Sequence, residues 1–498
     1  MELLIKTKID DVMAAEILFV PVLEGDKAVQ QVIGSLQYDD QAWVLEKISK
    51  EKFQGKQGQL LVIPDDEQTV VFIGTGQANK LSVEDWRQAA GQIVTYLRKF
   101  SAQSIAIATT HWLKGNADIK SLGQALAEGI VLASYDFDKY KKEDKNKIEI
   151  NIAKVFILAT AAQRVKFRQG WQSGLYLAEG TVKARDLVNE PASVMTPTYL
   201  AKQAEQIAKD NKNITVKILD KAQVKKLGMG AFLSIDQGSS QPLKFIHLIY
   251  KPIGRSKDKV AVVGKGLTFD SGGLNIKLGD NMEQMKIDMG GAATVIGLFA
   301  VIAQLKPKVE VHGIVAACEN MPSGAAIKPG DIVKNMQGKT IEIGNTDAEG
   351  RVTMADSLAY AQKLGVSKVV DLATLTGAVM IALGTDYTGL FSNNEKLAKD
   401  LLKSSDVSGE KIWLMPMPLE YKKLNQSKIA DIKNIPSTRY GGSITAAMFL
   451  QEFIEEGVAW AHLDIAGPAY AEKPLTTYIP AGGVGFGVRT LLEWLKNM

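Results

Sequence analysis

Apolar residues recur along this chain in two rhythms. Short apolar runs bounded by turn residues predict strands over 16–23, 59–63, 69–73, 104–109 and 154–160. Helical spacing of apolar positions predicts helices over 86–100 and 122–135. Strands alternating with helices make the first third an α/β domain. A further helical stretch covers 168–187 and stops at Asn189-Glu190-Pro191, since a proline drives the residue before it out of helical geometry. It reads as a connector. Beyond Pro197 a second α/β pattern begins. Its strands, over 259–269, 309–318, 366–373 and 460–465, are near-continuously apolar, as expected of strands covered on both faces. Helices are expected between them, over 291–305 and 445–455. The expected domains are a smaller α/β domain over 1–165, a connecting helix over 166–190 and a larger α/β domain over 191–498.

Composition narrows the class. A chain of 498 residues exceeds one ordinary core. With 46% hydrophobic and 23% charged residues it has the make-up of a soluble globular protein. A net charge of +4 over this length gives no argument for nucleic acid or a membrane surface as partner. Cys318 is the sole cysteine, so no intrachain disulfide can form, which fits a reducing compartment. Residues 1–11 mix charged and apolar side chains and lack the apolar core of a secretory signal. The apolar run 290–305 is shorter than a membrane span. The expected location is the cytoplasm. Gly74-Thr75-Gly76 follows a strand but lacks the third glycine of a dinucleotide fingerprint, so it reads as a turn. The mixed-charge run 139–147 reads as a solvated loop.

Candidate chemistry concentrates in the second domain. In Asn345-Thr346-Asp347-Ala348-Glu349-Gly350-Arg351 two carboxylates sit two residues apart, with an arginine two further on. If extended, the segment would project all three side chains from one face. A helical pattern follows, up to Gly365. Such acidic loops bind hard cations. They also serve as helix caps and dipole partners, and that reading stands beside the first. The second stretch is Val263-Gly264-Lys265-Gly266-Leu267-Thr268-Phe269-Asp270-Ser271-Gly272-Gly273, at the end of a strand, followed by Lys277 and Asp288. Ligands of open α/β sheets bind beyond the carboxyl ends of strands. Asp270, Asp288, Asp347 and Glu349 sharing one cleft would repel one another unless cations neutralise them. Two divalent ions would do so, and such a pair can activate water and polarise a carbonyl. The four histidines, His111, His247, His312 and His462, stand apart from these carboxylates, so oxygen ligands would dominate. That suits Zn, Mn, Mg or Co and argues against copper. Taken alone, Lys265 reads as a salt-bridge partner, and Lys277 and Arg351 as charge balance.

These two stretches resemble the signature of the leucyl aminopeptidases, also called cytosol aminopeptidases. The resemblance continues through Lys277, Met285, 288–293, 371–377, 441–446 and 461–467. It implies a macro-like N-terminal α/β domain that helps build a homohexamer, and a C-terminal catalytic domain with a mixed central sheet. It implies Lys265, Asp270, Asp288, Asp347 and Glu349 as ligands of two divalent metal ions per subunit, Mn or Zn first, with Mg or Co as alternatives. Asp270 and Glu349 would bridge the ions. Lys265 and Asp288 would complete the tighter site and Asp347 the more exchangeable one. Lys277 would stabilise the oxyanion, and Arg351 would hold bicarbonate as a base. Met285, Thr374, Gly377, Ala466 and Ala469 would line an apolar substrate pocket. The implied substrates are peptides with a free N-terminus, leucine and other apolar residues being released. Pro468 stands where many relatives carry threonine, and Leu278 where a proline often follows the lysine. The rival enzyme is a two-metal phosphoesterase. The rival from another class is a regulatory DNA-binding protein, which no long basic stripe supports.

Overall fold

The structure is a computed structural model. It describes every residue except 9, 13, 36–40, 65–67, 110–117, 145–146, 255, 257 and 280–281, so His111 and part of the 139–147 run lie outside the described residues. The chain forms two compact units. One is Met1–Ala178 with Pro474–Pro480, and the other is Glu179–Lys473 with Ala481–Met498.

The first unit holds strands β1 (Glu2–Lys6), β2 (Ile17–Val22), β3 (Leu60–Ile63), β4 (Thr69–Gly74), β5 (Ser104–Ile107) and β6 (Lys154–Leu158) in the order β1-β6-β5-β2-β4-β3. All neighbours run parallel except β3 and β4. Every residue of β2 is buried, as its unbroken apolar run requires. The helix Val83–Leu97 starts from a capping box, in which Ser82 and Asp85 satisfy each other's backbone N–H groups. Within this unit Tyr478 donates its hydroxyl to Glu84, and Thr477 donates to the Gln88 carbonyl at 2.7 Å. No local pattern around 474–480 predicted this return to the first unit.

The helix Arg164–Asn189, longer than the expected 168–187, carries the chain onward. The second unit contains β7 (Ile214–Leu219), β8 (Lys244–Tyr250), β9 (Lys259–Asp270), β10 (Glu310–Asn320), β11 (Ile332–Lys334), β12 (Thr340–Glu342), β13 (Lys368–Ala373), β14 (Thr388–Ser392), β15 (Ile412–Leu414), β16 (Ile432–Lys433) and β17 (Ala459–Asp464). Eight of them form a mixed sheet in the order β15-β14-β17-β13-β9-β10-β8-β7. Its four central strands are parallel. On either side β8 and β14 run antiparallel to their inner neighbours. Parallel register places Asn320 opposite Asp270, and Ala373 opposite Asp464. The carboxyl ends of all four central strands therefore open on one side of the sheet.

The helix Gly290–Leu305 packs against these strands closely enough to require glycine. A Cβ on Gly291 would lie 2.1 Å from the Leu372 carbonyl oxygen, and one on Gly264 would lie 2.4 Å from the Gly291 carbonyl oxygen. With the turn before it, the stretch Glu283–Leu305 is long and apolar enough to cross a membrane by length and composition, more than the 290–305 run alone suggested. The most apolar part of that stretch is 83% buried inside the fold, as in a core helix.

Candidate metal centre

Four segments converge beyond the sheet. Asp270 is the last residue of β9, and Lys265 lies earlier on the same strand. Asp288 follows the 3-10 turn Glu283–Ile287 and precedes the helix Gly290–Leu305. Asp347 lies in a turn, while Glu349 and Arg351 lie in the first turn of the helix Glu349–Gln362. This corrects the extended reading of 345–351: the helix begins at Glu349, so the three side chains do not share a strand face. Asp347 and Glu349 still converge, because the turn and the first helical residue aim them at Asp270. One oxygen from each of Asp270, Asp347 and Glu349 lies within 4.8 Å of the others.

Two lysines thread this cluster. Lys265 Nζ lies 2.7 Å from Asp288 Oδ1 and 2.9 Å from Glu349 Oε1. Lys277 Nζ lies 2.8 Å from Asp270 Oδ2 and 2.6 Å from Asp347 Oδ1. Two ammonium groups thus face four carboxylates. Burial, joined by the charge of Asp270, pushes the Glu349 carboxyl up to about 8. Burial likewise pushes Asp288 up to about 6, and Asp347 is raised for the same reason. Burial pulls both lysines down, but the facing carboxylates outweigh it and hold them above the ordinary lysine range.

The donor set fits a pair of hard cations. Asp288 Oδ2 and Glu349 Oε2 are buried and have no hydrogen-bond partner. A buried carboxylate oxygen without a partner is costly, and a cation would satisfy it. The described histidines lie elsewhere. His247 and His312 bond to each other at 2.9 Å, and His462 bonds to Asp371.

Arg351 is buried and donates from Nη1 to the Asn434 carbonyl at 2.8 Å. Its Nε has no hydrogen-bond partner. Burial lowers its guanidinium to about 10 against the opposing pull of Glu349 and Asp464. Thr374 donates from Oγ1 to Asp288 Oδ1 at 2.7 Å, and its carbonyl accepts from Lys265 Nζ at 3.1 Å. The Thr374 methyl and the Ala469 Cβ both lie over Gly290, within 3.5 Å of where a Cβ would stand. Met285 is half-buried in the turn before Asp288, and Ala466 is half-buried in the loop after β17. Gly377 is exposed at the start of the helix Gly377–Leu383.

Two supporting residues have no signal in the sequence. Asn320 donates to Asp270 Oδ1 at 2.8 Å and to the Thr346 carbonyl at 3.0 Å. Asn434 donates to the Asn345 carbonyl and accepts the Gly344 N–H, both within 2.8 Å. Neither carries a charge or belongs to a metal-ligand pattern. Their roles arise from contacts with segments distant in sequence.

Residues 182–492 match the model of the cytosol aminopeptidase family, catalytic domain, and residues 19–144 match that of its N-terminal domain. The chain is 45% identical over 457 residues to a probable cytosol aminopeptidase of Aquifex aeolicus (strain VF5), covering 90% of this chain and 89% of that protein. Among solved structures it is similar to a tomato leucine aminopeptidase mutant, with a TM-score of 0.88 and 36% identity over 100% of this chain and 96% of the other. It is also similar to the bottromycin maturation enzyme BotP in complex with Mn, with a TM-score of 0.85 and 33% identity over 97% and 99% of the two chains.

Proposed function

This chain belongs to the cytosol aminopeptidase family, and on that premise we propose that it is a dinuclear-metal aminopeptidase that releases leucine and other apolar residues from peptide N-termini. The observation that carries the proposal is the meeting of buried Asp270 and Glu349 with half-buried Asp347, beside buried Asp288, with the Asp288 Oδ2 and Glu349 Oε2 oxygens left unpartnered. Lys265, Asp270, Asp288, Asp347 and Glu349 would hold two divalent cations, Mn or Zn first and Mg or Co as alternatives. Bound there, the cations would activate water and polarise the scissile carbonyl.

The chain's own residues supply the rest. Lys277, held between Asp270 and Asp347, stays protonated and can donate to the oxygen that gains charge as water adds to the carbonyl. Arg351, with its unpartnered buried Nε, would hold a bicarbonate ion as the proton acceptor. With cations bound, the cluster would take up the substrate's free α-amine, which would make the chain an exopeptidase. Thr374 and Ala469 over Gly290, with Met285, Gly377 and Ala466, would form the pocket for the first side chain. Thr374, Gly377, Ala466 and Ala469 are small and would leave room for a branched apolar group, with the Met285 side chain as its apolar neighbour. Family membership favours this reading over a phosphoesterase.

The same reading includes a cytoplasmic homohexamer, supported by exposed apolar side chains of the second unit such as Ile381, Trp413, Leu419 and Tyr440. Sedimentation of the purified chain tests that part. The catalytic proposal is tested by stripping the protein with a chelator and titrating Mn or Zn back. Leucyl anilide hydrolysis should vanish and then return with two equivalents per chain. Full activity in the stripped protein would defeat it.

A further inference from the structure

Asp464 ends β17 and is completely buried. It lies opposite Ala373, the last residue of β13, so it faces the loop that leaves that strand. Its two oxygens take four donors. Oδ1 accepts from the Leu375, Thr376 and Ala466 N–H groups at 3.1, 3.4 and 3.3 Å. Oδ2 accepts from Thr376 Oγ1 at 2.6 Å. Thr376 Oγ1 in turn accepts the Val379 N–H and caps the helix Gly377–Leu383.

The other end of this short loop reaches the acidic cluster. Thr374 donates to Asp288 and accepts from Lys265. Its methyl and the Ala469 Cβ both lie over Gly290, and Ala469 shares a loop with Ala466, whose N–H Asp464 also accepts. One buried carboxylate therefore ties together both loops proposed to wall the pocket, and through Thr374 it touches two proposed metal ligands. Burial makes this charge expensive and pushes its carboxyl up. A neutral side chain would join the two loops with less desolvation, whereas a carboxylate offers acceptors on both oxygens and fixes the loop in two directions.

Resting on the aminopeptidase reading above, we infer that Asp464 is a positioning residue that sets both the selectivity of the pocket and the aim of Lys265 and Asp288, acting through the 374–376 loop. It touches neither substrate nor metal in this account. Its influence passes along hydrogen bonds, as partners of ligating groups commonly act on a metal.

The test compares Asp464→Ala and Asp464→Asn in the full chain. Three quantities are read: the ratio of kcat/KM for leucyl over alanyl anilide, Mn2+ affinity of the chelator-stripped protein by calorimetry, and Tm. Asp464→Ala should shift the leucyl-to-alanyl ratio and weaken Mn2+ binding by about 10–100-fold. Asp464→Asn keeps one oxygen for the three amides and should restore most of both. An unchanged ratio with unchanged Mn2+ affinity would overturn the inference. So would an equal loss on both substrates that tracks Tm and is not rescued by asparagine, because that is the signature of a structural role alone. If Asp464→Ala does not fold, Thr376→Val takes its place and must shift the leucyl-to-alanyl ratio; no shift overturns the inference. Should the wild-type chain cleave neither anilide, the aminopeptidase reading fails, while the Mn2+ titration still decides for or against Asp464.

Discussion

Asn320 and Asp270 end neighbouring parallel strands in direct register, and the Asn320 amide donates to Asp270 Oδ1 at 2.8 Å. The same nitrogen reaches the Thr346 carbonyl, so one side chain ties the end of β9 to the turn that presents Asp347. Asn320→Ala leaves Asp270 Oδ1 with the Gly272 N–H alone. Metal affinity should fall about 10–100-fold, the usual effect of removing a partner that orients a ligand. Metal titration of the stripped variant checks this, and wild-type affinity would remove Asn320 from the account.

Lys277→Ala should keep both fold and metal but lose turnover. The proposed donation is to charge that develops mainly in the transition state. Losing one such donor lowers kcat by about 10²–10³. A variant with normal kcat and a raised KM would assign Lys277 to substrate binding instead.

Gly350→Ala probes the seating of Lys265. A Cβ at Gly350 would stand 2.3 Å from Lys265 Cε and 2.6 Å from its Nζ. The helix backbone accepts alanine readily, so the strain falls on the lysine, which is pinned between Asp288 and Glu349. The variant should melt close to wild type yet bind metal poorly. Near-normal metal binding would show that Lys265 can swing aside without consequence.

Without metal, stability should decline as pH rises. Glu349 is pushed up to about 8 from 4.5, and Asp288 to about 6 from 3.8. Between those values the folded chain holds more protons than the unfolded chain, so raising the pH works against folding from about pH 4 to about pH 8. Protons and cations compete for the same oxygens, so metal affinity should rise across the same window. Melting of chelator-stripped wild type against Glu349→Gln isolates the effect: the wild-type Tm should drop more steeply with pH. Parallel curves would mean that Glu349 does not titrate there.

The four central strands of the second unit were legible because they are buried on both faces and read as apolar runs, while β7, β8, β14 and β15 on the flanks of the same sheet were not. Strand β1 was not, since Glu2–Lys6 is an edge strand with only Ile5 fully buried. The carboxylates were legible by their chemistry and spacing, but their local geometry was not: Glu349 opens a helix where an extended segment was expected. Asn320 and Asp464 show the remaining limit. Both sit at strand ends and act on residues 50 and 88–89 positions away, through adjacency that only the sheet creates.

An aminopeptidase built on this site would take up a free α-amine at a cation-bearing carboxylate cluster. Hydrolysis of leucyl anilide and of its N-acetyl form by the metal-loaded chain decides whether that amine is required. Acetylation removes the basic lone pair and adds bulk where coordination must occur. The ordinary α-amino pKa of about 7.7–8.0 places the rise in activity on the alkaline side of neutral, and metal coordination pulls it lower. Rapid cleavage of the free substrate and none of the acetylated one is expected. Comparable kcat/KM for the two would contradict it, even with every carboxylate placed as described.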